Sequence, residues 1–147
     1  MVDLLVDARR GAAAIVRAIA EPRLGVTDHG NRPMVLIYHN SHCSKSRATL
    51  ALLEQHGSKV EVINYLDNPP NAVELAVLLK QLGMTARELL RTGEAEYLSL
   101  GLDDPALDEA TLIAAMVAHP KLIERPIVVA NGKAALGRPP EAVLAIL

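Results

Sequence analysis

Two short apolar runs, separated by a stretch of helical periodicity, mark the centre of the chain. Residues 34–38 (MVLIY) form an apolar, partly β-branched run that is typical of a buried strand. Leu50, Leu53 and the alanines around them then recur at helical spacing as far as Gly57, and glycine readily takes the left-handed position that ends a helix. Residues 60–65 have the pattern of a second strand. The order predicts a β-α-β unit.

Helix-capping signals divide the middle of the chain into several helices. Asn71 precedes Glu74 by three positions, and Thr85 precedes Glu88 in the same way. This spacing lets the side chain of an N-cap residue bind the backbone of the first turn while the acidic residue binds back. Asp108 is a third N-cap candidate. The predicted helices span residues 71–82, 85–91 and 108–118.

The last part of the chain has the pattern of a β-hairpin followed by a helix. Ile127–Ala130 and Lys133–Leu136 flank the dipeptide Asn131-Gly132, which accepts the positive φ angles of a tight hairpin turn. Residues 139–147 are predicted to form a closing helix. A β-α-β unit, several helices and a final hairpin together indicate an α/β fold with a mixed sheet, whose early strands are parallel and whose last pair is antiparallel.

The first 33 residues form a separate region. Residues 3–20 carry apolar side chains at helical spacing and precede Pro22, so they are predicted to form an amphipathic helix, and residues 23–33 a linker. The apolar stretch is short and contains Arg17, which argues against a membrane span or a signal peptide. We therefore divide the chain into an extension, residues 1–33, and a main domain, residues 34–147. Packing on the sheet, dimerisation and an over-long gene start remain open for the extension.

Charge and cysteine content narrow the function classes. The net charge is −2 and the 147 residues contain no basic run, which argues against nucleic acid as the main partner. A single cysteine excludes an internal disulfide, so a reducing compartment and a cytoplasmic protein are expected.

That cysteine, Cys43, follows the first predicted strand and begins the next predicted helix. A lone cysteine is most often a small buried apolar residue. The neighbours of Cys43, however, are polar or cationic, as in His39, His42, Lys45 and Arg47. The N–H groups at a helix N-terminus favour a thiolate over a thiol and also bind oxyanions. The loop therefore combines a candidate nucleophile with a candidate anion site.

Ser46 occupies the position at which a C-x-x-C redox pair would have its second cysteine. Because serine cannot resolve a covalent intermediate on Cys43, a thiol from outside the chain must do so.

The catalytic-loop residues carry a resemblance to a known family. Residues 39–48, HNSHCSKSRA, are similar to the loop H-N-P-x-C-x-x-S-R-N of the glutaredoxin-coupled arsenate reductases. Ser41 replaces the usual proline and Ala48 the usual asparagine. The resemblance, which covers residues 34–147, implies a thioredoxin/glutaredoxin-like fold: a mixed four-stranded sheet flanked by helices, with an inserted helical segment. The extra N-terminal helix predicted from the apolar spacing lies outside the resemblance.

The resemblance continues through three further segments, each containing one arginine. The L-L-R segment ends at Arg91, the R-P-I-V-V segment begins at Arg125, and the x-R-P-x-E segment contains Arg138. In the family these arginines hold the oxyanion, and the resemblance implies that role here. Arg138 lies beside a helix N-terminus, where a cation opposes the helix dipole, and that position also favours an anion nearby.

The resemblance implies an arsenate reductase. Cys43 would attack arsenate and His39 would help to favour the thiolate, while glutathione as co-substrate and glutaredoxin would complete the cycle. The supporting loop residues would be Asn40, Ser46, Arg47 and a cis Pro126. No metal and no tightly bound cofactor are expected.

Two other functions compete with this prediction. The same fold and thiol could serve a reductase that acts on another oxyanion or on a mixed disulfide. Relatives of the fold also act as non-enzymatic redox regulators that bind RNA polymerase, but these typically carry the C-x-x-C switch that Ser46 removes here.

Overall fold

The computed structural model describes residues 34–147, so the predicted helix at residues 3–20 and its linker lie outside the described residues. The strands are β1 (Met34–His39), β2 (Lys59–Asn64), β3 (Ile127–Ala130) and β4 (Lys133–Leu136). The α-helices are α1 (Ser44–Gln55), α2 (Ala72–Leu82), α3 (Ala86–Leu89), α4 (Ala95–Ser99) and α5 (Glu109–Ala118). Two 3₁₀ helices, Pro120–Leu122 and Pro140–Ile146, complete the described elements.

The four strands form one mixed sheet in the order β2-β1-β3-β4. β1 pairs in parallel with β2, with His39 opposite Asn64. β3 is antiparallel to β1 and to β4. The predicted fold class is confirmed, including the helical segment inserted between β2 and β3.

The two faces of the sheet bury two separate apolar clusters. Leu36 and Val129 face the cluster formed with α2, α3 and α5. Val35, Ile37 and Val128 face the opposite cluster, beside α1 and the second 3₁₀ helix. Side chains of successive strand residues point to opposite faces, so residues 34–38 of β1 and all of β3 are apolar because both faces of these strands are covered.

Capping determines where the helices begin and end. The side chains of Asn71, Thr85 and Asp108 accept hydrogen bonds from the N–H groups of Glu74, Glu88 and Thr111. Gly83 ends α2 with φ +68°, and Gly57, the glycine predicted to take the left-handed position, has φ +83°. Asn131 and Gly132, in the turn of the hairpin, have positive φ angles of 54° and 75°.

Several predicted boundaries differ from the structure. β2 begins at Lys59 and ends at Asn64, so Tyr65 lies in the following turn. The short helix α3 ends at Leu89, because Leu90 takes an extended conformation and bridges to Ile123. The closing helix is a 3₁₀ helix, and α4 was not predicted. Within residues 34–147, no helix is long and apolar enough to cross a membrane.

Candidate active site

Cys43 is the N-cap residue of α1. Its backbone is extended, with φ −98° and ψ 122°, and its carbonyl accepts the N–H of Arg47 at 3.0 Å. The Cys43 N–H donates to the carbonyl of Asn40, also at 3.0 Å. The residue is buried. The predicted position, in the turn between a strand and a helix, is confirmed, and it exposes the thiol to the partial positive charge of the helix N-terminus.

Ser46 links the beginning of this loop to the helix that follows it. Its side chain is fully buried, and Oγ accepts the N–H of Asn40 at 3.0 Å. The same oxygen lies 2.7 Å from Nδ1 of His39. The serine that replaces a second thiol therefore connects the end of β1 to the first turn of α1.

His39 contacts the loop through Ser46. Burial, and then the charge of Arg47, lower the pKa of His39 below its ordinary value. The ring is therefore neutral at neutral pH, and its hydrogen bond to Ser46 positions the loop. A direct contribution of His39 to the Cys43 thiolate stays a prediction.

The tip of the loop is fixed by two further hydrogen bonds. Nη1 of Arg47 donates to the carbonyl of Ser41 at 2.9 Å, and the His42 N–H donates to Oδ1 of Asn40 at 3.0 Å. Ser41 is the residue that replaces the family's proline, so its φ angle is not restricted by a ring. The hydrogen bond from Arg47 to the Ser41 carbonyl restrains the backbone at this position, which a proline ring would otherwise restrain.

Arg91, Arg125 and Arg138 converge in space, and we call these three residues the arginine cluster. Arg91 follows the bridge between Leu90 and Ile123, and its N–H donates to the Leu122 carbonyl at 2.8 Å. Arg125 precedes β3, and Arg138 follows β4. Nη1 of Arg138 donates to the Arg125 carbonyl at 3.2 Å. The three arginines thus come from three distant segments.

The arginine cluster surrounds a single carboxylate, that of Glu124. Its Oε1 lies 3.7 Å from Nε of Arg91, 3.9 Å from Nη1 of Arg125 and 3.7 Å from Nη1 of Arg138. A second carboxylate, Glu94, binds Arg91 at 2.9 Å. The structure therefore brings the three arginines together around a side-chain carboxylate, and their binding of an oxyanion stays a prediction.

Pro126 lies where β3 begins, and its peptide bond with Arg125 is cis, as the resemblance implied. The Arg138–Pro139 bond is also cis, which was not predicted. The Gly137 N–H donates to the Pro126 carbonyl at 3.0 Å. A Cβ atom at Gly137 would collide with Thr49 and with the Pro126 ring, so only glycine fits here.

Tyr65 lines a cavity together with Asn40 of the cysteine loop and Arg91 of the arginine cluster. Burial raises the pKa of Tyr65 to about 12, and nearby Cys43 and Glu124 act in the same direction. A hydrogen bond with the Asn40 side chain and the charge of Arg91 act in the opposite direction. The hydroxyl therefore keeps its proton at neutral pH and can donate a hydrogen bond.

A cavity of about 270 Å³ is lined by residues of the loop and by two of the three arginines, and Cys43 and Arg138 are not among its lining residues. Its polar and charged lining residues are Asn40, His42, Tyr65, Arg91, Glu94, Lys121 and Arg125. Its size suits a small oxyanion together with part of a second molecule, and its cations suit anionic groups.

Sequence reasoning missed the roles of Tyr65 and Glu124. Tyr65 directly follows β2, and the carboxyl ends of the parallel strands β1 and β2 meet at one edge, so its position next to Asn40 was available from the pattern. Glu124 gave no such signal, because a glutamate before an Arg-Pro pair reads as an ordinary exposed residue.

Comparisons with known proteins show to which family the chain belongs. Residues 38–146 match the model of the ArsC family. The chain is 59% identical over 114 residues to the uncharacterized protein YfgD of Escherichia coli, covering 77% of this chain and 96% of the relative. It is 51% identical over 116 residues to an arsenate reductase of Neisseria meningitidis serogroup B, covering 78% and 99%.

The solved structures show the same fold. An arsenate reductase from Vibrio cholerae superposes with a TM-score of 0.78 at 54% identity, covering 80% of this chain and 100% of that chain. The match to the family model, the identities of about half and the shared fold together place this chain in the ArsC family of arsenate reductases and their relatives.

Proposed function

We propose that this protein reduces arsenate to arsenite through a covalent adduct on Cys43, with glutathione and glutaredoxin as the reducing partners. The observation that carries the proposal is a cavity that Asn40 and His42 of the cysteine loop line together with Arg91 and Arg125 of the arginine cluster. Cys43, in the same loop, stands at a helix N-terminus. The relative in Neisseria meningitidis is named an arsenate reductase.

The proposed first step is attack on arsenic. Arsenate lies between the arginine cluster and the loop N–H groups, and the Cys43 thiolate forms a sulfur–arsenic bond. One arsenate oxygen takes up protons and leaves as water. Fixed cationic donors stabilise the negative charge on the oxygens during this step, which is typically the largest contribution to such catalysis.

The electron balance requires a second thiol. Reduction of arsenate takes two electrons, which two thiols supply when they become a disulfide. The chain contains one cysteine, so the second thiol comes from outside. In the proposed step, glutathione attacks the Cys43 sulfur, the sulfur–arsenic bond breaks with its electrons on arsenic, and arsenite leaves. Glutaredoxin then attacks the glutathione sulfur and releases Cys43.

The burial and bonding of Ser46 argue against the regulator alternative. A redox switch of the C-x-x-C type needs a second thiol at this position, and Ser46 instead makes two buried structural contacts. The alternative of a reductase for another oxyanion keeps the same site and differs only in the anion.

Intact-mass spectrometry tests the covalent step. After incubation with arsenate and limiting glutathione, the protein should carry an arsenic or a glutathione adduct, and the Cys43→Ser variant should carry none. Steady turnover should require glutathione with glutaredoxin. Multiple turnovers without any added thiol would contradict the mechanism, and turnover with thioredoxin in place of glutaredoxin would contradict the assigned partner.

A further inference from the structure

The strongest unexplained feature is the carboxylate of Glu124 inside the arginine cluster. One oxygen, Oε1, is the point on which Arg91, Arg125 and Arg138 all converge, and it also accepts the Arg125 N–H at 3.3 Å. A site that binds anions gains from positive charge, so a carboxylate at its centre opposes the binding of a further anion unless it has another role.

The guanidinium donors are not used up by Glu124. Its three ion-pair distances are 3.7 to 3.9 Å, which is longer than hydrogen-bond length. Nε and Nη1 of Arg125 are buried and have no hydrogen-bond acceptor among the described residues. Buried donors almost always have an acceptor, so these atoms point to a ligand oxygen that binds next to Glu124.

A ligand oxygen in that position meets two kinds of group. The guanidinium groups only donate hydrogen bonds, whereas an ionised carboxylate only accepts them. An oxyanion without a proton would therefore be repelled by Glu124. An oxyanion that keeps one proton can donate it to Oε1 while its other oxygens accept from the arginines, as in other charge-assisted pairs.

We propose that Glu124 is a specificity-determining residue, which makes the site select oxyanions that keep a proton at neutral pH. Arsenate and phosphate belong to this class, whereas sulfate and selenate are fully deprotonated. The inference rests on the proposed function in one respect only, that the substrate oxyanion binds at the arginine cluster.

Glu94 offers a matched control. Its side chain is as exposed as that of Glu124, 27% in each case, and its negative charge also offsets one positive charge of the arginine cluster. Its ion pair, at 2.9 Å, is with one arginine of the cluster, Arg91, whereas Glu124 lies near all three. Glu94→Gln therefore changes the net charge by the same amount without changing the group at the point of convergence.

The experiment measures how well phosphate and sulfate protect Cys43 of the full chain from alkylation at pH 7. Phosphate should protect wild type at a concentration at least about tenfold lower than sulfate does. Sulfate has no proton to donate to Glu124, and leaving a buried charged group without a hydrogen-bond partner typically costs a factor of about ten or more in affinity. Glu124→Gln should lose most of this discrimination, since an amide can donate as well as accept. Glu124→Asp should keep this discrimination, and Glu94→Gln should strengthen the binding of both anions equally.

Three results would overturn the inference: no protection of wild type by phosphate, the same phosphate-to-sulfate ratio in Glu124→Gln as in wild type, or an equal change of that ratio in Glu94→Gln. Arsenate turnover is measured separately. If wild type prefers phosphate over sulfate and Glu124→Gln loses that preference, but wild type does not reduce arsenate, the proposed function is wrong and the inference stands. If wild type reduces arsenate but the phosphate-to-sulfate ratio is the same in Glu124→Gln, the inference is wrong and the proposed function stands.

Discussion

The cysteine loop and the arginine cluster are built in opposite ways, although they serve one site. The loop, residues 39–47, is continuous in sequence, and it is held by backbone and side-chain hydrogen bonds of 2.7 to 3.0 Å. The arginine cluster gathers residues 91, 125 and 138 through ion pairs of 3.7 to 3.9 Å with Glu124. Short local bonds hold the cysteine loop in one geometry, whereas the longer ion pairs with Glu124 leave two buried guanidinium nitrogens of Arg125 without a hydrogen-bond acceptor among the described residues.

This difference predicts that changes in the cluster affect catalysis more than stability, and that changes in the loop affect both. Polar groups buried with short hydrogen bonds are costly to leave without a partner. Half-exposed ion pairs contribute little to stability. The three predictions below test the contrast.

The largest effect is expected at Arg125. Arg125→Ala should lower kcat/KM for arsenate by roughly 100-fold or more, because it removes preorganised donors from the developing charge. Arg138→Ala should have a smaller effect, since that side chain is 37% exposed against 16% for Arg125. Steady-state kinetics and thermal unfolding measure both properties.

The control for Arg125 is Arg87→Ala. Arg87 donates to the carbonyls of Leu102 and Asp104, so its loss should reduce stability while turnover stays near that of wild type. If Arg125→Ala loses stability as Arg87→Ala does and keeps its turnover, the contrast between cluster and loop is wrong.

A middle-sized effect is expected at Ser46. Ser46→Ala removes a buried oxygen that serves both the Asn40 N–H and His39 Nδ1. The free energy of unfolding should fall by about 1–3 kcal/mol, the usual cost of leaving buried polar groups without a partner. Urea unfolding measures this change. The exposed Ser44, two positions earlier on the same helix, gives the control variant Ser44→Ala, and equal losses in the two variants would contradict the prediction.

The smallest effect is a dependence of stability on pH. Because the pKa of His39 is lowered in the folded state, its contribution to stability is fully present above about 6.5, the ordinary value, and is lost as the pH falls through the lower folded value. Wild type should therefore lose stability more steeply than His39→Gln between pH 7.5 and 5. Denaturant unfolding across this range measures it, and parallel curves for the two proteins would show that His39 does not titrate differently on folding.

Much of the fold follows from local sequence patterns. The caps at Asn71, Thr85 and Asp108 and the turn at Asn131-Gly132 were all predicted, because each depends on hydrogen bonds or φ angles within a few residues. The boundaries that differ depend on distant contacts. α3 ends early, for example, because Leu90 pairs with Ile123 across 33 positions.

The sequence by itself determined the candidate nucleophile, its place at the start of α1 and the serine at the position of a second thiol, since these are properties of one short segment. The tertiary structure alone decided which side chains meet next to the cysteine loop: Glu124 at the centre of three arginines, and Tyr65 in the cavity that Asn40, Arg91 and Arg125 also line. These contacts depend on how β2, β3 and the inserted helices meet at one edge of the sheet. Hydrophobic patterning specifies which faces are buried, but it carries no information about which charged side chains then meet at the rim.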